Sequence, residues 1–309
     1  MSRIHDALKK AEEERNLHRP ASSGSTMEVA QPPAATTGPS VALPGEKPVA
    51  SSRAALLAQG PTLDALQTRV SVANWKPDPE KVIAYQGTDA RLGTEEFRSL
   101  RSKLYQSRDA GPLRKVLVTS ALPQEGKTYV AVNLAHAIVR QRERRALLVD
   151  ADLRWSRLHT VLGTNLSPGL TEYLRGEADE LSILQRGPID NLYFIPGGKT
   201  APNAAELIAN GRLKLLLEHL TPLFDWIIMD SPPAVAMSDA SLLAEFCDGV
   251  VMVVAAGKTP FDMAQKTREQ FKKFRLLGVV LNRVDMNSTG SRYYYGYYRG
   301  ARNGKKAKG

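Results

Sequence analysis

The chain reads as an α/β protein, a mostly parallel sheet flanked by helices on both faces, and two observations carry that reading. Strand-length apolar runs alternate with helix-spaced segments from Lys115 to Leu281. Three aspartates, Asp150, Asp152 and Asp230, fall at the carboxyl ends of two of those runs, where open sheets of this kind bind their ligands. In chain order, Val116 to Thr119 is short, apolar and β-branched, and a tight Gly126-Lys127-Thr128 loop follows it. Tyr129 to Arg140 then carries Val132, Ala135, Ile138 and Val139 at helical spacing. Ala146 to Val149 is the second strand, running out onto Asp150 and Asp152. Strand and helix signals continue to alternate: Leu192 to Ile195 and Ala204 to Leu220, then Trp226 to Met229 and Ala240 to Phe246, then Val250 to Val254 and Phe261 to Phe274, and last Leu277 to Leu281. Asp230 is followed by Ser231-Pro232-Pro233, a stiff exit that fixes the strand end.

Upstream of this core the composition changes. Residues 20–81 are heavy in Pro, Ala, Ser, Thr and Gly, too poor in apolar surface to offset the entropy of ordering, and read as a disordered linker. The folded domain is then expected at 82–285, with a flexible basic tail at 286–309. Residues 1–19 form their own segment: Ile4, Ala7, Leu8 and Ala11 share one face of a short amphipathic helix, a docking peptide or a frayed end. Thr94 to Gln106 is a stronger helix, with Thr94 as N-cap and Phe97, Leu100 and Leu104 on one face. Its Glu95, Arg98 and Arg101 recur every three residues, a solvated charged face or an inter-subunit surface.

Composition narrows the function classes. The single Cys247, in an apolar context that reads as core, excludes an internal disulfide and suits a reducing compartment. The start, MSRIHDALKK, has no apolar h-region, so no secretory signal is expected, and the longest apolar run, Val250 to Ala256, is far short of the ~20 residues that span a bilayer. His5, His18, His136, His159 and His219 show no ligand spacing, so no zinc site is expected. The net charge of +10 is partly concentrated after Met286, where six Lys and Arg stand without an acid. Within that tail Tyr293, Tyr294, Tyr295, Tyr297 and Tyr298 crowd into six positions. Such tyrosines cannot all be buried. Interleaved with basic residues, they suit stacking on single-stranded nucleic acid or service as phosphate acceptors.

The chemistry of the Gly126-Lys127-Thr128 loop is that of a polyphosphate site. Loop amides and the positive end of a helix dipole attract anionic oxygens, Lys127 adds a mobile cation, and the Thr128 hydroxyl can join a Mg²⁺ shell. The match to G-x-x-x-x-G-K-[ST] is imperfect, because Ala121 stands at the first glycine.

Five features together resemble a known family: the loop ALPQEGKT, the strand ends LLVDADLR and WIIMDSPP, the E-x-x-R-x-x-R helix of Glu95, Arg98 and Arg101, and the C-terminal tyrosine cluster. The sequence resembles the bacterial tyrosine kinases of capsule and exopolysaccharide synthesis. Its SRIHDALKKAEEER start is similar to the exosortase-associated, EpsG-like group of chain-length-determinant kinases. The resemblance implies a P-loop NTPase fold of the SIMIBI, MinD-like type that binds ATP and Mg²⁺. Gln124, Glu125, Gly126, Lys127, Thr128 and Tyr129 would hold the nucleotide phosphates, with Asn282 near the adenine. Thr128, Asp150 and Asp230 would position the metal, directly or through water. Asp152 would act as base toward the incoming tyrosine, and Arg154 would contact phosphate or acceptor. The tail tyrosines Tyr293, Tyr294, Tyr295, Tyr297 and Tyr298 would be autophosphorylated, and Glu95, Arg98 and Arg101 would bridge a ring-shaped homo-oligomer. A membrane polysaccharide co-polymerase would be the activator and a tyrosine phosphatase the opposing enzyme. Nucleic acid is not expected, and the protein would sit at the cytoplasmic face of the membrane through its partner. Gln124 stands where the family usually has glycine, so a positive φ there would be strained. Two other readings stay open: a ParA/MinD-like positioning ATPase, against which Leu122 stands in place of that group's signature lysine, and a catalytically weak P-loop assembly factor.

Overall fold

The computed structural model describes residues 60–83, 93–141, 143–189 and 191–285. The amphipathic segment within 1–19, most of the linker and the tail with its five tyrosines lie outside the described residues. The elements are α1 (Leu63–Arg69), β1 (Ser71–Val72), α2 (Thr94–Ser107), β2 (Lys115–Ser120), α3 (Lys127–Val139), β3 (Ala146–Asp150), α4 (Leu158–Leu162), α5 (Leu170–Arg175), β4 (Gln185–Arg186), β5 (Leu192–Ile195), α6 (Ala204–Ala209), α7 (Arg212–Leu220), β6 (Trp226–Asp230), α8 (Asp239–Ala244), β7 (Gly249–Ala255), α9 (Phe261–Gln270) and β8 (Leu276–Asn282).

The strands form one eight-stranded sheet in the order β1-β4-β5-β3-β6-β2-β7-β8, parallel at every pairing except β4 with β5. Both faces of its centre are covered, and side chains alternate between two apolar layers. In β3, Ala146 and Leu148 enter the layer under α2 and α3, while Leu147 and Val149 enter the layer under α5 to α8; in β6, Trp226 and Ile228 divide from Ile227 and Met229 in the same way. Two-sided burial is why these strands are near-continuous hydrophobic runs. Truncating Leu148, which is fully buried, would cost about 2–5 kcal/mol.

Three boundaries differ from the sequence expectation. The ordered body begins before residue 82: Leu66 of α1 is fully buried, and Val70 and Trp75 are nearly so, within the same two layers. Ala204 to Leu220 is two helices rather than one, because Gly211 takes φ +85° and restarts the chain as α7. The cap of α2 is Gly93, at φ +90°, and Thr94 is already helical.

The centre of the sheet positions the site. Asp150 and Asp230 are paired in register at the carboxyl ends of β3 and β6, and Val118 of β2 is in register with Asp230. The turn from β2 into α3 therefore opens directly above both acids.

Candidate active site

The phosphate loop is braced from both sides. Glu125, 3% exposed, accepts the Leu122 amide at 2.8 Å through Oε2 and the Thr259 hydroxyl through Oε1. Asn282, at the end of β8, donates through Nδ2 to the Glu125 carbonyl at 2.9 Å. A Cβ at Gly126, φ +97°, would stand 2.0 Å from Asn282 Nδ2, so only glycine fits there. Glu125 and Asn282 thus shape the loop through their side chains. Gln124 takes φ +64°, in the left-handed region that strains a residue with a Cβ. Tyr129, on the first turn of α3, turns its ring away from the loop and packs edge-on against Phe97 of α2 at 5.8 Å.

Below the loop lies a charge cluster almost closed to solvent. Lys127 Nζ is 3.1 Å from Asp152 Oδ2 and 3.8 Å from Asp230 Oδ1, the first a hydrogen-bonded ion pair and the second too long for one. Burial works against the Lys127 charge, but Asp230 and Asp152 outweigh it and hold the ammonium above its ordinary pKa. Thr128 donates its hydroxyl to Asp230 Oδ2 at 2.6 Å. Burial, with Asp152 adding repulsion, lifts Asp230 to about 6 against the pull of Lys127 and Thr128.

Asp150 works mainly on its own chain. Its Oδ2 accepts from Ser156 Oγ at 2.6 Å and from the amides of Arg157 and Leu158 at 3.1 and 3.0 Å, while Oδ1 faces the Asp152 amide at 3.3 Å. Burial and then the Asp230 charge raise it to about 7. Asp150 therefore folds the 151–158 loop that presents Asp152, and the Trp155 amide, 3.1 Å from Asp152 Oδ1, fixes the orientation of that carboxylate.

Arg154, expected to touch phosphate or acceptor, also has partners within the protein. Its guanidinium is forked onto Asp239, Nε to Oδ2 at 2.7 Å and Nη2 to Oδ1 at 3.3 Å, and Nη1 donates to the Pro202 carbonyl at 2.7 Å. It clamps the 151–158 loop to α8 with three of its five N–H donors. Glu95 and Arg98 form the expected surface pair at 2.6 Å, but Arg101 folds inward to donate to the Ala137 carbonyl at the end of α3. Ser156, Asp239 and Thr259 carry the site and were not singled out from the sequence. Each acts across a loop or between elements, where no motif spacing marks it.

The cluster fits a divalent cation beside a polyphosphate. Asp230 Oδ1 is buried without a hydrogen-bond partner, and the Thr128 hydroxyl touches the other oxygen of the same carboxylate. Hard oxygen donors of this kind suit Mg²⁺, which takes one or two carboxylates and completes its shell with water and phosphate. Among the described residues no group of three or more His, Cys, Asp or Glu side chains is arranged to hold a metal ion by itself.

Comparison with known proteins agrees with this geometry. Residues 116–304 match the CobQ/CobB/MinD/ParA nucleotide binding domain family. The chain is 32% identical over 207 residues to tyrosine-protein kinase YwqD of Bacillus subtilis, covering 66% of this chain and 87% of that one. The chain belongs to the bacterial tyrosine-protein kinases. Tyrosine-protein kinase wzc of Salmonella typhimurium is 29% identical over 76% of this chain, which spans 32% of that longer protein. The kinase domain of Escherichia coli tyrosine kinase ETK superposes with a TM-score of 0.63 at 26% identity, covering 72% of this chain and 86% of that one. For this kinase, no helix among the described residues is long and apolar enough to cross a membrane.

Proposed function

We propose that this kinase transfers the γ-phosphoryl group of ATP, with Mg²⁺, to Tyr293, Tyr294, Tyr295, Tyr297 and Tyr298 in the tail of a neighbouring copy, and so regulates exopolysaccharide polymerisation and export. The observation that carries the reading is the position of Asp152, a buried carboxylate 3.1 Å from the Lys127 ammonium at the mouth of the phosphate loop. A proton acceptor and a phosphate-binding cation share one point, as transfer to a hydroxyl requires. Bound Mg²⁺-ATP supplies the phosphoryl group and the divalent charge that offsets its oxygens. Lys127 would exchange its pairing with Asp152 for phosphate oxygens, which frees Asp152 Oδ2 to take the phenol proton. The Trp155 amide keeps the other oxygen of Asp152 in place throughout. Thr128 and Asp230 would hold the metal, and Asp150 would keep the base loop folded beside them.

The tail supplies a switch. Each phosphotyrosine adds about −1.5 to −2 charges, so five would turn a tail carrying six Lys and Arg clearly negative. Unmodified tails would enter a neighbour's site in a ring bridged through the Glu95, Arg98 and Arg101 helix, and phosphorylation would release them and loosen the ring. A membrane polysaccharide co-polymerase would bring the kinase to the cytoplasmic face of the membrane and activate it, and a tyrosine phosphatase would reset the tail. The deciding experiment incubates purified protein with Mg²⁺-ATP and maps the tail peptide by mass, with Lys127→Ala as control. Phosphate on the tail of the parent alone supports the kinase reading. ATP hydrolysis with an unmodified tail would move the assignment to a positioning ATPase. For the ring, Arg98→Ala with Arg101→Ala should shrink the particle seen by light scattering.

A further inference from the structure

We propose that the amino ends of β2, β3 and β6 form a second anion site, built to hold a phosphate oxyanion and separate from the nucleotide loop. Arg108, Arg114, Arg144 and Arg145 line a cavity of about 270 Å³ there, and Asp225 is the acid among the lining residues. Glu143 is exposed and does not line it.

Most of these charges have a structural task that leaves one unspent. Arg108 lies over the Trp226 ring at 3.9 Å and donates to the carbonyls of Leu113 and Asp225 at 2.8 and 2.5 Å. Arg114 reaches the Thr221 carbonyl at 3.2 Å. Asp225 takes Arg144 Nη1 on one oxygen at 2.8 Å and the Arg145 amide on the other at 2.9 Å. The Arg145 guanidinium makes no hydrogen bond among the described residues, and its Nε is buried without a partner. A buried donor left unpaired costs free energy, and four guanidiniums against one carboxylate repel each other. An oxyanion in the cavity would offset that repulsion and give the terminal donors of the Arg145 guanidinium a partner.

The chemistry selects phosphate. Arginine forks match the paired oxygens of a phosphate or pyrophosphate group, and the surface turned to the cavity is nearly all polar, so charge rather than an apolar ring is recognised. The site is distinct from the loop because Arg145 and Asp150 bracket the whole of β3, roughly 16 Å at 3.3 Å per residue. Free phosphate compounds and the headgroup of an anionic lipid offer the same group.

The test uses the full chain carrying Lys127→Ala, so that the nucleotide loop does not dominate. Calorimetric titration with inorganic pyrophosphate should show saturable binding, weakened about tenfold or more by Arg145→Gln and further by adding Arg144→Gln. Arg145→Gln removes no hydrogen bond, so its thermal unfolding in chloride buffer should match or exceed the parent's. Arg145→Lys keeps the charge without the fork and should bind between the two. In parallel, flotation with phosphatidylcholine vesicles, with and without phosphatidylglycerol, reads the lipid source. The basic tail contributes equally to parent and variants, so a loss specific to the arginine variants assigns the lipid headgroup. No binding of either probe in the Lys127→Ala chain, or binding unchanged by the arginine substitutions, overturns the proposal.

Discussion

At their carboxyl ends β3 and β6 set Asp150, Asp152 and Asp230 around Lys127, while the same strands begin beside Arg145 and Asp225, with Arg108, Arg114 and Arg144 close by. Three acids face one cation at one end, and four cations face one acid at the other. Among the described residues Asp230 Oδ1 is buried with no hydrogen-bond partner at the first end, and Arg145 Nε and Trp226 Nε1 at the second. A folded protein rarely buries such atoms without a reason. The difference lies in how the charges are held. At the acid end a single lysine links the groups, so a ligand that draws it away leaves Asp152 without its ion-pair partner. At the basic end Arg108, Arg114 and Arg144 are pinned to carbonyls and to Asp225, so a ligand there meets a fixed frame.

The largest break in this comparison comes from removing the shared cation. Lys127→Ala should lower tail phosphorylation by about 10³-fold or more, since electrostatic stabilisation of a transferring phosphoryl group is the dominant catalytic contribution; incorporation of labelled phosphate from ATP measures it. Asp152→Asn should follow, with a loss of about 10²- to 10³-fold in phosphoryl transfer and nucleotide affinity changed by only a few fold. Single-turnover transfer and an independent nucleotide titration separate the two effects. Equal losses in both would place Asp152 in nucleotide binding and remove it as the base.

A third substitution sharpens the contrast between cations that stay charged and one that does not. His136 of α3 lies beside a cavity with Arg98, Arg101 and Arg140, and burial, helped by Arg140, lowers its pKa to about 4. In the unfolded chain it titrates near 6.5, so between those values the unfolded state binds more protons and stability rises with pH, falling on acidification. The contribution is fully present above about 6.5 and its loss approaches about 3 kcal/mol as pH nears 4. Urea unfolding at pH 7 and pH 4.5 should show that slope in the parent and a flatter one in His136→Gln.

How much was legible in the sequence follows the same division. The acid end could be read because its parts are local: Gly126-Lys127-Thr128 is contiguous, Asp150 and Asp152 are two apart, and Asp230 ends a clear apolar run. The basic end could not, because residues 108, 114, 144–145 and 225 meet only through the register that sets Lys115 beside Ile227 and Ala146 beside Trp226. Singly, each arginine looks like an ordinary solvated charge. The partner of Arg154 was hidden for a related reason: its motif position is local, but Asp239, which it pairs with, lies 85 residues on. The ordered start of the body was hidden by averaging. LDALQTRVSVANW carries the buried Leu66, Val70 and Trp75, yet sits inside a long Pro- and Ser-rich stretch whose overall composition argues for disorder.

The smallest expected effect lies in the loop itself and bears on why the acid end tolerates Gln124. That residue is exposed, holds φ +64°, and is followed by Glu125, whose bonds to Leu122, Thr259 and Asn282 fix the turn around it. A non-glycine residue in this region costs about 1 kcal/mol or slightly more, while glycine brings about 0.5–1 kcal/mol of extra unfolded-state entropy. Gln124→Gly should therefore stabilise by no more than about 0.5–1 kcal/mol, raising Tm by roughly 1–4 °C. Because the loop is already shaped by its braces, KM for ATP and the transfer rate should stay within about twofold of the parent. A clear fall in transfer rate with unchanged Tm would show that the glutamine side chain itself contacts nucleotide or the incoming tail, so that strain at the acid end is retained for chemistry rather than merely tolerated.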